Sequence, residues 1–325
     1  MAQKLFQKQQ IMRRVLYSLA PIYLFSIYLY GWRVLALTLV VFPLGILTEW
    51  AFERKRKKKV SEAVLVTSGI YLLALPPATP LWVAAIGIVF AVAIGKEVYG
   101  GFGRNIFNPA ITGRLFIYIT FPTVLANAWM VPGMFGTAGQ AGVDALTAAT
   151  PLATIADPDV ATPGLIDMLI GLRPGSLGES SVILIAAAAI YLIYTKTAQW
   201  RLIVSTLVSA GVMLTIFDLT GLTEDMPPHV GLMSGSILYV SVFMATDPVS
   251  APNKNLSQII YGTIIGVVSM LIRAFGGFPE GTSFGVIIGN VFASLIDELV
   301  PKKKKKQAKP KPAAKGGEKS KEATA

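Results

Sequence analysis

Apolar residues recur in stretches of about 18, separated by short polar or Gly- and Pro-rich connections. A helix rises about 1.5 Å per residue and a bilayer core is about 30 Å thick, so stretches of this length cross a membrane. The pattern predicts spans near 15–31 and 34–52, one from Val60 to the break at Leu75-Pro76-Pro77-Ala78-Thr79-Pro80, one over 81–98, and a fifth ending near Phe121. Spans resume near 180–195, 201–221, 230–246, 257–273 and 282–300. The expected fold is an all-α polytopic membrane protein of about ten transmembrane helices. Between the fifth and sixth spans the hydropathy falls over residues 122–179, a connection long enough to suggest function, with one helix-like piece at Leu165–Leu172. The expected organisation is a segment 1–14, a first membrane half 15–121, a loop 122–179, a second membrane half 180–300 and a disordered basic tail 301–325.

Composition agrees with the pattern. The 325 residues are 53% hydrophobic and only 14% charged, against about a quarter charged in soluble domains. The net charge of +11 is concentrated: ten of the 29 Lys and Arg follow Leu299 and six fill Arg54–Lys59. Runs of this kind flank cytoplasmic ends of spans and meet lipid headgroups. No nucleic-acid motif accompanies them, so nucleic acid is not expected as a partner. The absence of cysteine excludes disulfides, thiolate-ligated iron–sulfur clusters and thiol redox chemistry in this chain. A single histidine, His229, argues against a His-rich metal or haem site, and no metal is expected. Electrons handled by this chain would need a bound organic cofactor.

Charge also orients the spans. Residues 1–14 hold Lys4, Lys8, Arg13 and Arg14 with no short apolar core and cleavage site, so no removable signal peptide is read. With the N-terminus cytoplasmic, the inner connections before the tail hold 15 Lys and Arg and the outer ones hold three, Arg33, Arg173 and Arg273. The expected topology has both termini cytoplasmic and the 122–179 loop on the other side.

A faint repeat runs through both halves. Ser68-Gly69 precedes the Pro76–Pro80 break and Gly100-Gly101-Phe102; Ser234-Gly235 precedes Ala245–Pro252 and Gly276-Gly277-Phe278. Two five-span halves of opposite orientation are an arrangement shared by many channels and transporters, with interrupted helices near the central site.

Three stretches offer chemistry. Asn105 and Asn108, in the connector Tyr99–Ala110, carry amides that suit a planar heterocycle and suit helix capping equally. Asp247 precedes Pro248, where a helix should stop, and an acid at membrane depth is a functional candidate as well as a cap. Glu97, Arg114, Asp218, Arg273 and Asp297 share that ambiguity. Asp144-Ala145-Leu146-Thr147-Ala148-Ala149-Thr150 offers hydroxyls on a small-residue backbone, open to a turn or to a ligand.

Taken in order, these motifs resemble the NqrB/RnfD family of membrane subunits of ion-translocating electron-transfer complexes. The resemblance rests on the Gly100–Ala110 connector, Asp144–Thr150, Gly171-Leu172-Arg173-Pro174-Gly175-Ser176-Leu177-Gly178-Glu179-Ser180-Ser181, Phe243–Pro252, and Gly276–Gly281 with Asn290. It covers residues from about 60 to 300. The short segment before the first span looks more like RnfD than NqrB.

The resemblance implies a urea-transporter-like fold of two inverted five-helix repeats. It implies FMN held covalently through its phosphate on Thr150, with Asp144, Thr147 and Ala149 around it on the extracytoplasmic side. A second flavin, riboflavin among the candidates, would be held non-covalently, with Asn105, Asn108 and Asp247 as candidate neighbours of it or of an ion path. It implies a bacterial or archaeal cytoplasmic (inner) membrane protein, part of an oxidoreductase translocase and not catalytic alone. Its complex would couple electron transfer of the ferredoxin/NAD(H) type to Na⁺ or H⁺ movement. Partners implied are other membrane and iron–sulfur or flavin subunits, the bilayer, and a flavin transferase. Two alternatives remain open here: the B subunit of a Na⁺-translocating NADH:quinone reductase, and a small-solute channel of the same fold.

Overall fold

The computed structural model describes residues 6–132, 164–222, 227–276 and 281–301, which are mostly helical. Helices α1 (Gln10–Tyr30) and α2 (Trp32–Lys55) meet at Gly31. α3 (Ala63–Leu73) stops ahead of Pro76 and Pro77, which lack the N–H a helix would need. α4 (Leu81–Val92) runs into a π-helical turn at Ala93–Glu97, and α5 (Pro109–Thr120) is followed by the short α6 (Pro122–Ala126). After α7 (Leu165–Ile170) come α8 (Val182–Tyr194), α9 (Trp200–Thr220), α10 (Pro228–Met233), α11 (Ile237–Phe243), α12 (Asn255–Phe275) and α13 (Thr282–Leu299). Among the described residues four helices, α2, α9, α12 and α13, are long and apolar enough to cross a membrane, with α3 and α8 as shorter apolar helices. The chain is a helical, multi-pass membrane protein.

Packing follows one scheme twice. α3 packs on α1 and α2, and α11 packs on α8 and α9; α4 packs on α2 and α5, and α12 packs on α9 and α13. The two sets meet where α1 touches α8 and α5 touches α13. The repeat read from sequence is not matched residue for residue. Ser68-Gly69 lies within α3, whereas Ser234-Gly235 lies at an interruption between α10 and α11. The stretch expected as one span, 230–246, is therefore two short helices. Arg273 of α12 closes that break, its guanidinium donating to the carbonyls of Gly231 (2.7 Å) and Ser234 (3.4 Å).

Hydrogen bonds sort the connections into two groups. In one, β1 (Phe6–Gln7) pairs in parallel with β2 (Val60–Ser61), and Arg13 binds Glu62 at 2.5 Å, holding that carboxyl below the usual carboxylate range. Arg14 donates to the Thr195 carbonyl (2.8 Å), Gln258 to the Gln199 side chain (2.6 Å), and the Asn253 N–H to Asp297 (2.7 Å). In the other group, Arg33 donates to the carbonyls of Ala78 and Thr79, the Ala78 N–H to the Ala128 carbonyl (3.0 Å), and Tyr30 to the Gly175 carbonyl (3.4 Å).

Residues 176–179, expected in the extracytoplasmic loop, are buried, as are Ser180 and Ser181. The reason is the early end of α3. The Leu177 N–H donates to the Leu75 carbonyl (3.0 Å) and the Gly178 N–H to the Leu73 carbonyl (2.6 Å), while Ser26 donates to the Leu177 carbonyl (2.5 Å). A carbonyl freed inside a bilayer needs a protein donor, because water is not there to supply one.

α9 and α12 approach closely. A Cβ at Gly262 would lie 3.0 Å from the Leu202 carbonyl oxygen, and one at Gly266 would lie 2.5 Å from that of Thr206. Small residues that let backbones meet replace the hydrophobic drive that lipid cannot provide. Gly266→Ala is expected to lower stability by about 1–3 kcal/mol through overpacking, read as earlier unfolding of the detergent-solubilised protein. Gly211→Ala, whose Cβ would sit 3.4 Å from a Leu232 methyl, should change little.

Candidate functional site

Asn108 joins both halves. Its side-chain oxygen caps α5 by accepting from the N–H groups of Ala110 (3.0 Å) and Ile111 (3.4 Å), with Pro109 at the first helical position. Its amide nitrogen donates to the Met244 carbonyl (3.1 Å) just past α11. Its backbone N–H donates to Asn290 of α13 (3.0 Å), which in turn donates to the Tyr261 hydroxyl of α12 (2.5 Å). One side chain thus satisfies a helix start and a helix end that lie 136 residues apart.

Asp247 ends the other interruption. Its carboxylate accepts from the Val249 N–H (3.2 Å) and the Ser250 hydroxyl (2.9 Å), turning the chain after Met244 where Pro248 forbids more helix. Asn105 donates to the Phe107 carbonyl (3.0 Å). Asn105, Asn108 and Asp247 line one cavity of about 60 Å³, together with Lys96 and apolar side chains of α1, α3 and α11. The structure therefore brings these three candidates together. A water needs roughly 10–15 Å³ of such volume, so the cavity accommodates a few waters. It falls far short of the few hundred Å³ usual for organic ligands.

Lys96 leads from the cavity into a buried charged cluster. Its ammonium donates to Glu49 (2.5 Å) and Ser61 (2.8 Å), and Glu49 also accepts from the Ser61 N–H (2.8 Å) and hydroxyl (2.6 Å). Next to it, Arg56 bridges Glu53 (3.1 Å) and Glu97 (2.6 Å) and donates to the Glu97 carbonyl (2.5 Å). Glu49, Glu53, Lys96 and Glu97 are all buried. The π-helical turn inserts an extra residue into the end of α4, a feature frequent at functional sites, and it carries both Lys96 and Glu97. A second buried ion pair, Arg114–Glu179 (3.3 Å), joins α5 to the inserted segment 176–181, with the guanidinium over the Tyr118 ring.

Sequence singled out Glu97 and Arg114 as ambiguous, and both are buried and paired. It missed Glu49, Glu53 and Lys96. The usable signal was two acids one helical turn apart, directly before the all-basic run Arg54–Lys59. Asp144, Thr147, Ala149 and Thr150 lie outside the described residues. Among the described residues no group of three or more His, Cys, Asp or Glu side chains is arranged to hold a metal.

Comparison with known proteins gives a consistent set of relatives. A family model described as the NQR2, RnfD, RnfE family matches residues 2–306. The D subunit of an ion-translocating oxidoreductase complex from Halorhodospira halophila is 33% identical over 321 residues, covering 89% of each chain. The B subunit of a Na(+)-translocating NADH-quinone reductase from Azotobacter vinelandii is 37% identical over 266 residues, covering 80% of this chain and 65% of its own length. The corresponding B subunit from Ectopseudomonas mendocina is 38% identical over 271 residues, with the same coverage of 80% and 65%.

Because Asn108 serves a cap and a buried backbone acceptor at once, Asn108→Ala should cost about 2–4 kcal/mol, the sum of a lost cap and a stranded buried polar group. Asn105→Ala, which removes the bond to the Phe107 carbonyl and the one to the Asp247 side chain, should cost about 1–2 kcal/mol. Unfolding curves of the two purified variants check the difference.

Proposed function

We propose, from the premise that the chain belongs to the NQR2, RnfD, RnfE family, that it is the FMN-bearing D subunit of an Rnf-type complex. Its relatives are named as parts of ion-translocating oxidoreductase complexes. The observation that carries the D-type reading is how much of this chain each relative matches: 89% for the D-type relative against 80% for the B-type ones.

The fold supports this reading. The repeated packing scheme and the two groups of bonded connections are what ten spans in two inverted five-helix repeats would give. The lysine and arginine count favours a cytoplasmic side for the group containing Arg54–Lys59. The 122–179 segment then faces the opposite side, and Thr150 is the residue to which we assign the FMN phosphoester, with Asp144, Thr147 and Ala149 beside it.

When bound, the flavin supplies the electron-carrying chemistry that a chain without cysteine lacks. The chain's own part is to fix the flavin at one membrane face, exclude water from the core, and hold the interrupted helices in register. A flavin transferase would make the attachment, and iron–sulfur or flavin partner subunits would deliver electrons of the ferredoxin/NAD(H) type. Movement of Na⁺ or H⁺ by the complex works against a membrane potential worth about 2.3 kcal/mol per charge per 100 mV. For a second, non-covalent flavin the cavity at Asn105, Asn108 and Asp247 does not fit: at about 60 Å³ it is too small for a three-ring heterocycle, and its polar groups already bond within the chain. No step is assigned to a second flavin.

Co-expression with a flavin transferase should give a band that fluoresces yellow after denaturing electrophoresis and is dark in Thr150→Ala. A dark wild-type band despite a transferase active on another substrate would overturn the flavin reading. Solute flux through liposomes holding this chain alone would favour the channel alternative instead.

A further inference from the structure

The cluster at the end of α4 has an unbalanced charge. Glu49, Glu53 and Glu97 contribute three carboxylates, and Lys96 and Arg56 contribute two cations. Glu49 is fully served: Lys96 and both donors of Ser61 reach it. Glu53 and Glu97 share one guanidinium nitrogen of Arg56, and the remaining oxygens, Glu53 Oε2 and Glu97 Oε1, are buried and accept no hydrogen bond from any described residue. Glu97 has no exposed surface at all. Gly101 closes the cluster at φ 90°, and any side chain there would meet the Glu53 carboxylate and Arg56. The Gly-Gly connector thus seals two half-satisfied carboxylates.

An uncompensated carboxylate in such a place is costly, and two carboxylates at one site resist ionising together. Other charges do not relieve it. Arg54, Lys55, Lys57, Lys58 and Lys59 on the same side are exposed and screened by water, as is Arg104 of the connector. Glu62 is engaged by Arg13, and Asp247 lies across the cavity that Lys96 lines. A metal ion is disfavoured because an ammonium and a guanidinium already occupy the cluster and no multidentate acidic group is formed among the described residues.

We propose that the Glu53–Glu97 pair binds one proton. The step adds H⁺ from the adjacent aqueous face to one carboxylate oxygen; no other bond breaks, no electron moves, and the cluster's formal charge goes from −1 to zero. Arg56 positions the pair, the π-helical turn brings Glu97 inward, and the Lys96-lined cavity offers a path for water toward Asp247. As a station for a translocated ion this rests on the ion-translocating reading above. The binding itself does not.

Infrared difference spectra of the purified full chain, stepped from about pH 4 to 9 to bracket displaced carboxylates, should show a protonated-carboxyl C=O band that moves in D₂O. The band should vanish in Glu97→Gln or Glu53→Gln and persist in Asp247→Asn. On the wild-type chain, a hydrophobic carbodiimide, which reacts with protonated buried acids, should label Glu97 or Glu53, with labelling falling as pH rises and unchanged by Na⁺. Absence of the band, its persistence in both glutamine variants, labelling confined to other acids, or saturable protection by Na⁺ at fixed pH would each overturn the proposal. Neither measurement needs flavin or electron flow, so failure here leaves the flavin reading standing, and failure of the fluorescent band leaves this site standing.

Discussion

Three helix breaks among the described residues free backbone groups inside the packed helices, and much of the structure is arranged around satisfying them. Three different devices do so. Asn108 caps the start of α5 and bonds the Met244 carbonyl just beyond α11. Arg273 reaches from α12 to the carbonyls left between α10 and α11. The backbone of residues 177–178 enters from outside the helical sets to bond the carbonyls at the end of α3. In each case the donor comes from far along the chain, so a break local in sequence becomes a long-range tie in space.

That separation explains what sequence reveals and what it hides. Apolar runs and proline positions predict the helices and most of their ends, because length, hydropathy and the missing proline N–H are local properties. They also mark Asn108 and Asp247, each directly before Pro, and Asn105 in the Gly-rich connector, since such polar residues stand out against an apolar background. Partner identity is not local. Glu49 and Glu53 read as the ordinary polar end of a span next to Arg54–Lys59, and only the turn at Ala93–Glu97, invisible to hydropathy, brings Lys96 and Glu97 against them. The burial of residues 176–179 has a related reason: their polar composition suggests solvent, yet the backbone N–H groups of Leu177 and Gly178 are what the carbonyls at the end of α3 require. For the Thr150 stretch, family likeness remains the argument, and its residues fall outside those described.

Under the proposed topology the two chemistries occupy opposite ends of the molecule. On that proposal the flavin anchor would belong to the face of the 122–179 segment, opposite the carboxylate cluster beside Arg54–Lys59. Between them lie the Asn108–Asn290–Tyr261 network, which spans the two helical sets, and the Arg114–Glu179 pair, which ties α5 to the inserted segment; both are buried. A change of charge at either end would be felt by groups whose hydrogen bonds hold the halves together, which is a physical route for coupling without a continuous channel.

The small parallel pairing of Phe6–Gln7 with Val60–Ser61 has a consequence for how the molecule is made. Its two strands are separated by the whole α1–α2 hairpin, so the N-terminal segment finds its partner only after both helices have been synthesised and turned back. Phe6 and Gln7 therefore settle later than the hairpin that follows them. The clasp they form, reinforced by Arg13 on Glu62, latches a finished hairpin to the start of the next and gives assembly of the first half a direction.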